Sequence, residues 1–118
     1  MAEILLIFRR GPHDGLRSRE GLDAALAALA FDHPLSVLFD SAGATLLRPA
    51  VDCADAGLSA WTMGLGALPL HGIRRCGVSE HALAVHGLRD QSLLLDAQVL
   101  DRAAAASWIA QSDVVLVF

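Results

Sequence analysis

Two cysteines, Cys53 and Cys76, are the side chains in this 118-residue chain most able to act as nucleophiles or to carry sulfur. Cys53 lies near the start of a predicted helix, where the helix dipole favours a thiolate. Cys76 lies between Arg75 and Gly77 in a predicted strand, a position at which cysteine usually serves as a small buried apolar residue. Two cysteines without a Cys-x-x-Cys pair predict neither a disulfide framework nor a zinc site.

The five histidines could supply acids, bases or metal ligands, but their spacing favours none of these roles. His81 and His86 are close in sequence, and a spacing of five residues does not place both on one face of a helix. His13 and Asp14 share a loop, yet no nucleophile is placed beside them. The chain has no glycine-rich phosphate loop that ends in Lys-Ser/Thr. We therefore predict no metal site and no cofactor.

All nine basic residues are arginines, and 13 acidic residues outnumber them, so the net charge is −4. A mildly acidic chain lacks the dense basic surface that direct nucleic-acid binding needs. Arg9, Arg10 and Arg17 fall close together, and their planar guanidinium groups can pair with carboxylates and other anions. These three arginines are therefore candidates for binding a partner or an anion.

The segments that must position these side chains alternate between strands and helices. Short apolar runs predict five strands, at Glu3–Phe8, Leu35–Phe39, Ile73–Val78, Ser92–Asp96 and Asp113–Phe118. Four helices are predicted. The first follows Ser18 as its N-cap, the second spans Asp52–Leu68, the third runs from Ser79 as N-cap to His86, and the fourth spans Leu100–Ala110. The segment Ala44–Val51 is ambiguous. This alternation predicts a single α/β domain, 1–118: a three-layer α/β/α sandwich with a mostly parallel five-stranded sheet.

Apolar residues make up 54% of the chain, more than the ~45–50% typical of globular domains. We therefore expect part of this apolar surface to be covered by another subunit. The longest uncharged run, Ala56–Ile73, contains four glycines and Pro69, so no membrane span is expected. No signal-peptide pattern is seen at the N-terminus, and the chain is predicted to be soluble and cytoplasmic.

The predicted fold also says where functional groups should gather. In open α/β sheets, sites form beyond the carboxyl ends of the strands. In this chain those ends are the loop 9–17, the turn 40–43 and the segment 77–81. We expect any chemistry of the protein to lie in these three segments.

Four stretches together resemble a known family: ILLIFRRGPHDG, REGLDAALA, GIRRCGVSEHALAVHGL and SDVVLVF. They are similar to the DsrE/DsrF/DsrH-like sulfur-relay proteins, and most closely to the TusC/DsrF subunit type. The most specific piece is the loop with Pro12, His13 and Gly15, which is followed by Arg19–Asp23. The resemblance spans nearly the whole chain and keeps the order of strands and helices.

This resemblance implies a compact α/β/α sandwich in a heterohexamer with TusB/DsrH-like and TusD/DsrE-like chains. Such complexes pass persulfide sulfur, through a TusE/DsrC-like acceptor, toward 2-thiouridine at the tRNA wobble position. Related complexes of sulfur-oxidising bacteria serve dissimilatory sulfur metabolism, and the sequence does not distinguish the two roles. Within such an assembly, we expect Arg9, Arg10, His13 and Arg17 to contact a neighbouring subunit, because their loop follows the first strand.

The sequence departs from the family's pattern at the catalytic position. The resemblance implies that the persulfide-carrying cysteine of the TusD/DsrE subunit matches Ser79, eight residues before Gly87. A serine hydroxyl cannot hold a persulfide, and Cys76 falls three residues earlier, inside the predicted strand. The leading interpretation is therefore an accessory, non-catalytic subunit of a sulfur-relay complex.

Two other interpretations stay open. Cys76 could itself accept persulfide, because the neighbouring Arg74 and Arg75 could lower the pKa of its thiol. Alternatively, the chain could form a homo-oligomeric module that binds an anion or a small molecule through Arg9 and the arginines near it, Arg10 and Arg17.

Overall fold

The computed structural model describes residues 2–13, 16–48 and 64–118 of the chain. Its strands are β1 (Ile4–Phe8), β2 (Leu35–Phe39), β3 (Arg75–Ser79), β4 (Gln98–Leu100) and β5 (Val114–Val117). They form one sheet in the order β4-β3-β2-β1-β5, and every neighbouring pair is parallel. The predicted α/β fold with a five-stranded parallel sheet is confirmed.

Within the described ranges, three complete α-helices and two 3-10 helices connect the strands. They are α1 (Arg17–Ala30), α2 (Glu80–Val85) and α3 (Arg102–Gln111), with 3-10 helices at Ser41–Leu47 and Leu68–His71. Among the helices of the described ranges, none is both long and apolar enough to cross a membrane.

The strand order decides on which side of the sheet each connection lies. From β1 through β2 and β3 to β4 the chain moves in one direction, and α3 then carries it back to β5 at the far edge. Crossovers between parallel strands are right-handed, so connections that move in one direction lie on one face and the returning helix lies on the other. Among the described elements, α1, α2 and the 3-10 helices lie over one face, which we call the covered face, and α3 lies over the other, which we call the open face.

Two apolar cores correspond to these two faces. On the covered face the buried strand side chains are Leu6, Phe8, Leu35, Val37, Phe39 and Val78. On the open face the buried side chains are Leu5, Ile7, Leu38, Leu100 and Trp108. β1 and β2 contribute to both cores, which explains why their sequences are continuous apolar runs instead of alternating patterns.

The fourth strand is not where the sequence predicts it. The prediction is Ser92–Asp96, whereas β4 is Gln98–Leu100. Leu95 is buried in the larger core, and the Leu94 N–H donates to the Leu47 carbonyl at 2.7 Å, so the predicted strand is a loop that packs on the core. The prediction is wrong because it rests on the more apolar of two neighbouring segments. The observed strand lies at the edge of the sheet and is mostly exposed, so its sequence is less apolar.

The predicted helix caps are right at one position and wrong at another. Ser79 is the N-cap of α2, and its Oγ accepts a hydrogen bond from the Ala82 N–H at 3.2 Å. The N-cap of α1 is Leu16, not Ser18. The buried Ser18 hydroxyl instead donates to the Arg10 carbonyl at 2.8 Å. Ser18 therefore ties the start of α1 to the loop after β1.

The remaining boundaries follow from local capping and from the described ranges. The ambiguous segment Ala44–Val51 overlaps the 3-10 helix Ser41–Leu47. The last helix begins only at residue 102, because Asp101 is its N-cap. The predicted helix Asp52–Leu68 lies outside the described residues up to residue 63, and residues 64–66 are helical. The other four predicted strands agree with the structure to within two residues at each end.

Candidate functional site

The carboxyl ends of four neighbouring strands form one polar edge of the sheet. Arg9 follows β1, Asp40 follows β2, Ser79 ends β3, and Asp101 follows β4. All four lie at the same edge because the strands are parallel. The three segments in which the sequence predicts functional chemistry therefore meet at this edge.

A cavity of about 480 Å³, the Ser79 pocket, lies at the ends of β2, β3 and β4. It is lined by Asp40, Ser79, His81, Asp101, Arg102 and Ala105. Two of these side chains act as helix caps: Ser79 Oγ accepts from the Ala82 N–H at 3.2 Å, and Asp101 Oδ1 accepts from the Ala104 N–H at 2.8 Å. The pocket thus presents hydroxyl, imidazole, carboxylate and guanidinium groups, and none of its lining residues carries a thiol.

These groups suit binding better than nucleophilic attack. A serine nucleophile needs a base within hydrogen-bond distance of its hydroxyl. Among the described residues, no hydrogen bond joins Ser79 to His81, and the hydrogen bond that Ser79 accepts comes from a backbone amide. The Ser79 hydroxyl thus caps the start of α2.

A second cavity, about 260 Å³, adjoins the Ser79 pocket and is bordered by both neighbouring histidines. Its lining residues are Asp40, Ser41, Ala42, His81, Ala82, Val85 and His86. His81 and His86 thus face one space despite their unfavourable helical spacing. Across the described parts of the chain, no group of three or more His, Cys, Asp or Glu side chains is placed to hold a metal ion.

The turn after β2 holds Asp40 and Ser41 between these cavities. The Asp40 N–H donates to the Phe8 carbonyl at 2.9 Å, and Asp40 Oδ1 accepts from the Ser41 N–H at 2.8 Å. Ser41 has a φ of 51°, in the left-handed region that non-glycine residues rarely adopt. A Cβ on Gly43 would lie 1.9 Å from the Phe8 carbonyl oxygen, so the close approach of this turn to β1 requires glycine.

A third cavity, about 450 Å³, lies at the ends of β1 and β5. We call it the arginine pocket; it is lined by Arg9, Arg10, Arg17, Ser41, Val117 and Phe118. The structure therefore brings together the three arginines that the sequence places around one loop. Arg9 Nη2 donates to Ser41 Oγ at 3.2 Å, which joins the end of β1 to the turn after β2. His13 is exposed on the same loop but does not line the pocket.

Cys76 lies on the covered face, away from the polar edge. Burial raises the pKa of its thiol to about 12, so the thiol is protonated at neutral pH. The guanidinium groups of the two neighbouring arginines contact other side chains. Arg74 pairs with Glu3, and the Arg75 guanidinium lies over the Trp108 ring, 4.3 Å from its centroid.

Sequence reasoning missed Asp101 and Arg102, which line the Ser79 pocket. Because the fourth strand is predicted too early in the chain, both residues fall inside the predicted helix Leu100–Ala110. The signal that could have found them is an aspartate at an N-cap position directly after a short β-type segment, Gln98–Leu100. The other cysteine, Cys53, lies outside the described residues.

The chain matches known proteins over almost its whole length. The model of the DsrE/DsrF-like family matches residues 2–118. A Pseudomonas aeruginosa protein named Protein TusC homolog is 36% identical over 113 residues, which cover 96% of this chain and 95% of that protein. A Vibrio vulnificus protein of the same name is 32% identical over 101 residues, which cover 86% of each.

The fold has a counterpart among solved structures as well. The crystal structure of the ychN protein from E. coli matches all of this chain and is itself matched over its whole length, with a TM-score of 0.81. The two sequences are 17% identical, so this likeness concerns the fold alone. Together with the family match over residues 2–118, the relatives confirm the resemblance seen in the sequence: the chain belongs to the DsrE/DsrF-like family.

Proposed function

We propose that this chain is an accessory, non-catalytic subunit of a cytoplasmic sulfur-relay complex of the TusBCD type. Membership of the DsrE/DsrF-like family and relatives that carry the name TusC homolog support this assignment. The observation that carries the non-catalytic part is that none of the described residues lining the Ser79 pocket is a cysteine.

That observation rests on two side chains. Ser79 ends β3, and its hydroxyl caps α2. The family resemblance implies that this position matches the persulfide-carrying cysteine of the TusD/DsrE subunit type. A persulfide is held as Cys–S–SH, which a hydroxyl cannot form. Sulfur transfer also requires a thiolate, whereas a pKa of about 12 keeps the Cys76 thiol protonated. Neither side chain is suited to carry sulfur.

The role that fits this arrangement is to support the catalytic chain. We infer that the polar edge lies beside a TusD/DsrE-like subunit, that a TusB/DsrH-like subunit completes the assembly, and that a TusE/DsrC-like protein receives the sulfur. The end product in this proposal is 2-thiouridine at the tRNA wobble position. The half-exposed valines of β5 offer an apolar surface for such subunit contacts.

The decisive test is a cysteine-free chain. We expect the double variant Cys53→Ser, Cys76→Ser to support sulfur transfer within twofold of the native rate in a complex reconstituted with TusB-like and TusD-like chains, because no step uses a thiol of this subunit. Transfer of radiolabelled sulfur from the TusD-like chain to the acceptor measures this.

Two controls make that result interpretable. A reconstitution without this chain should lose transfer, which establishes that the subunit is needed. Size-exclusion chromatography should show that the double variant still assembles. Loss of transfer in a fully assembled double-variant complex would instead favour Cys76 or Cys53 as a persulfide acceptor and would overturn the accessory role.

The loop after β1 is the proposed contact with a neighbouring subunit, through Arg9, Arg10, His13 and Arg17. All four residues are exposed at the polar edge. An exposed ion pair contributes only about 0–1 kcal/mol, whereas a pair desolvated in an interface costs several kcal/mol to break. We therefore expect the double variant Arg9→Ala, Arg10→Ala to weaken assembly at least tenfold and to change its salt dependence.

This expectation is checked by titrating partner chains against the double variant over a salt series. The variant Arg89→Ala is the matched control, because Arg89 pairs with Glu80 on α2 and lies outside the loop. Unchanged assembly of the double variant at every salt concentration would place the loop in solvent.

A further inference from the structure

We propose that the Ser79 pocket binds a small zwitterion, an α-amino acid, through its ammonium and carboxylate groups together. This inference goes beyond the proposed function, because it concerns a free small molecule rather than a neighbouring subunit or the transfer of sulfur. The pocket has a volume of about 480 Å³, within the ~300–1,000 Å³ usual for small-molecule sites. None of its lining residues belongs to the loop after β1 that is proposed above as a subunit contact.

The parallel strands place the polar groups of the pocket in a row. Asp40 and Ser79 each follow the last pair of residues in the register of β2 and β3, so they lie side by side. Ser79 pairs with Leu100 of β4, so Asp101 lies just beyond that pair. Neighbouring strands are ~4.8 Å apart, so the backbones of Asp40 and Asp101 are separated by about 10 Å, with Ser79 between them. A ligand the size of an amino acid fits within this interval.

The two carboxylates of the pocket are held in fixed positions. Asp40 Oδ1 accepts from the Ser41 N–H at 2.8 Å, and Asp101 Oδ1 accepts from the Ala104 N–H at 2.8 Å. Among the described residues, no protein group donates to the second oxygen, Oδ2, of either carboxylate. Both oxygens are therefore acceptors for the N–H bonds of an ammonium group.

Arg102 brings the opposite charge to the same cavity. It directly follows Asp101 at the start of α3, and successive residues of a helix do not face each other. Within the described ranges no ion pair joins Arg102 to Asp40 or Asp101, although all three residues line the pocket. A zwitterion can pair with the carboxylates at one end and with the guanidinium at the other. A ligand with a single charge leaves one of these protein charges without a partner, so the pocket selects against it.

The Ser79 hydroxyl and two helices complete the site. Ser79 Oγ accepts from the Ala82 N–H at 3.2 Å, and among the described residues its own proton is donated to no group, so that proton is available to a ligand carboxylate. α2 contributes His81 and α3 contributes Ala105, so helices from both faces of the sheet border the row of polar groups. A ligand between these walls is partly removed from water, which strengthens its pairing with charged groups.

Equilibrium dialysis of the full chain against each standard α-amino acid in radiolabelled form, at constant ionic strength, tests the proposal. We expect saturable binding of one molecule per chain for at least one of them. The amide of that amino acid lacks the carboxylate, and its N-acetyl derivative lacks the ammonium, so each should compete at least tenfold more weakly than the parent. If no amino acid binds saturably, or if either derivative competes as well as the parent, the pocket is not a zwitterion site.

Asp101→Asn separates the charge of the pocket from its architecture. Asparagine caps helices about as well as aspartate, so α3 keeps its N-cap while one pocket carboxylate is neutralised. Binding should weaken at least fivefold. Asp113→Asn is the matched control, because Asp113 Oδ2 also accepts a backbone N–H, from Glu3 at 2.8 Å, but at the opposite edge of the sheet. Its affinity should stay within twofold of native.

Arg102→Gln tests the other end of the ligand. Binding should weaken at least tenfold, and the parent amino acid should lose its advantage over its amide, because the ligand carboxylate then lacks a guanidinium partner. Arg19→Gln is the charge control at an exposed position of α1 outside the pocket, and its affinity should stay within twofold of native. Equal losses in the pocket variants and their controls would reduce the binding to diffuse attraction and overturn the proposal. The assay uses the chain alone, so failure of the sulfur-relay role would leave its outcome unaffected.

Discussion

The two faces of the sheet differ in how completely the chain covers them. On the covered face, Val37 is fully buried beneath the helices. On the open face, Val117 of β5 is 52% exposed and Ile109 of α3 is 44% exposed. The cause is topology: among the described elements, α1, α2 and the 3-10 helices lie on one side, and α3 is the one helix that lies on the other. Part of the excess apolar surface that the composition predicts therefore lies on the open face.

This difference predicts unequal costs for the same substitution on the two faces. Val37→Ala should lower the free energy of unfolding by about 2–3 kcal/mol, because it removes two buried methyl groups and leaves a cavity. Val117→Ala should cost about 0.5 kcal/mol or less, because that side chain is already half in water. Urea unfolding followed by tryptophan fluorescence, at one chain concentration, measures both. Both costs are compared at a chain concentration low enough to keep the chain monomeric, and equal costs there would contradict the difference between the two faces.

Burial on both faces also explains which strands could be predicted from sequence. Ile4–Phe8 and Leu35–Phe39 lie at the centre of the sheet, so both faces select apolar residues and the runs are unambiguous. Gln98–Leu100 lies at an edge, where exposure permits polar residues and the pattern fades. The adjacent loop is more apolar than the strand because it packs on the core, and local sequence does not report that tertiary contact.

The candidate site divides in the same way. Ser79 and the arginines around the first loop could be located in advance, because they follow strands whose positions are clear from sequence. Asp101 and Arg102 could not, since they follow the misplaced strand. Ser18 shows a further limit: a serine near a helix start suits an N-cap, but the direction of its hydrogen bond depends on the loop that packs against it. Here it donates to the Arg10 carbonyl.

The open face should also drive association of the isolated chain. We expect the native chain alone to form homo-oligomers at micromolar concentration. These homo-oligomers should dissociate when partner chains are added. Ile109→Glu should weaken self-association at least tenfold, because a carboxylate buried in an apolar contact loses its hydration. Val85→Glu is the control: Val85 is 63% exposed on α2, which packs on the covered face. Sedimentation velocity over a concentration series measures the masses, and a native chain that stays monomeric would contradict the expectation.

Burial of Cys76 on the covered face should make the free energy of unfolding depend on pH, an effect smaller than that of Val37→Ala. An unfolded cysteine ionises at about pH 8.5, whereas burial raises the pKa of Cys76 in the folded chain to about 12. Between these values the folded state keeps a proton that the unfolded state loses, so the free energy of unfolding must fall as the pH rises. We expect a loss of about 1 kcal/mol between pH 8 and pH 10, which allows for the partial exposure of the thiol. The chain is suited to this measurement because it contains no tyrosine and no lysine, whose titration would overlap.

The matched control for this pH dependence is Cys76→Ala, measured by urea unfolding at the same pH values. Cys53 and the α-amino group are present in both chains, so the difference between the two slopes reports Cys76 alone. The variant should be less sensitive to pH by about 1 kcal/mol over this range. Parallel slopes would mean that the thiol ionises as easily in the folded chain as in the unfolded one. Water would then reach the covered face near β3, the distinction between the two faces would fail there, and Cys76 would regain the reactivity that a persulfide carrier requires.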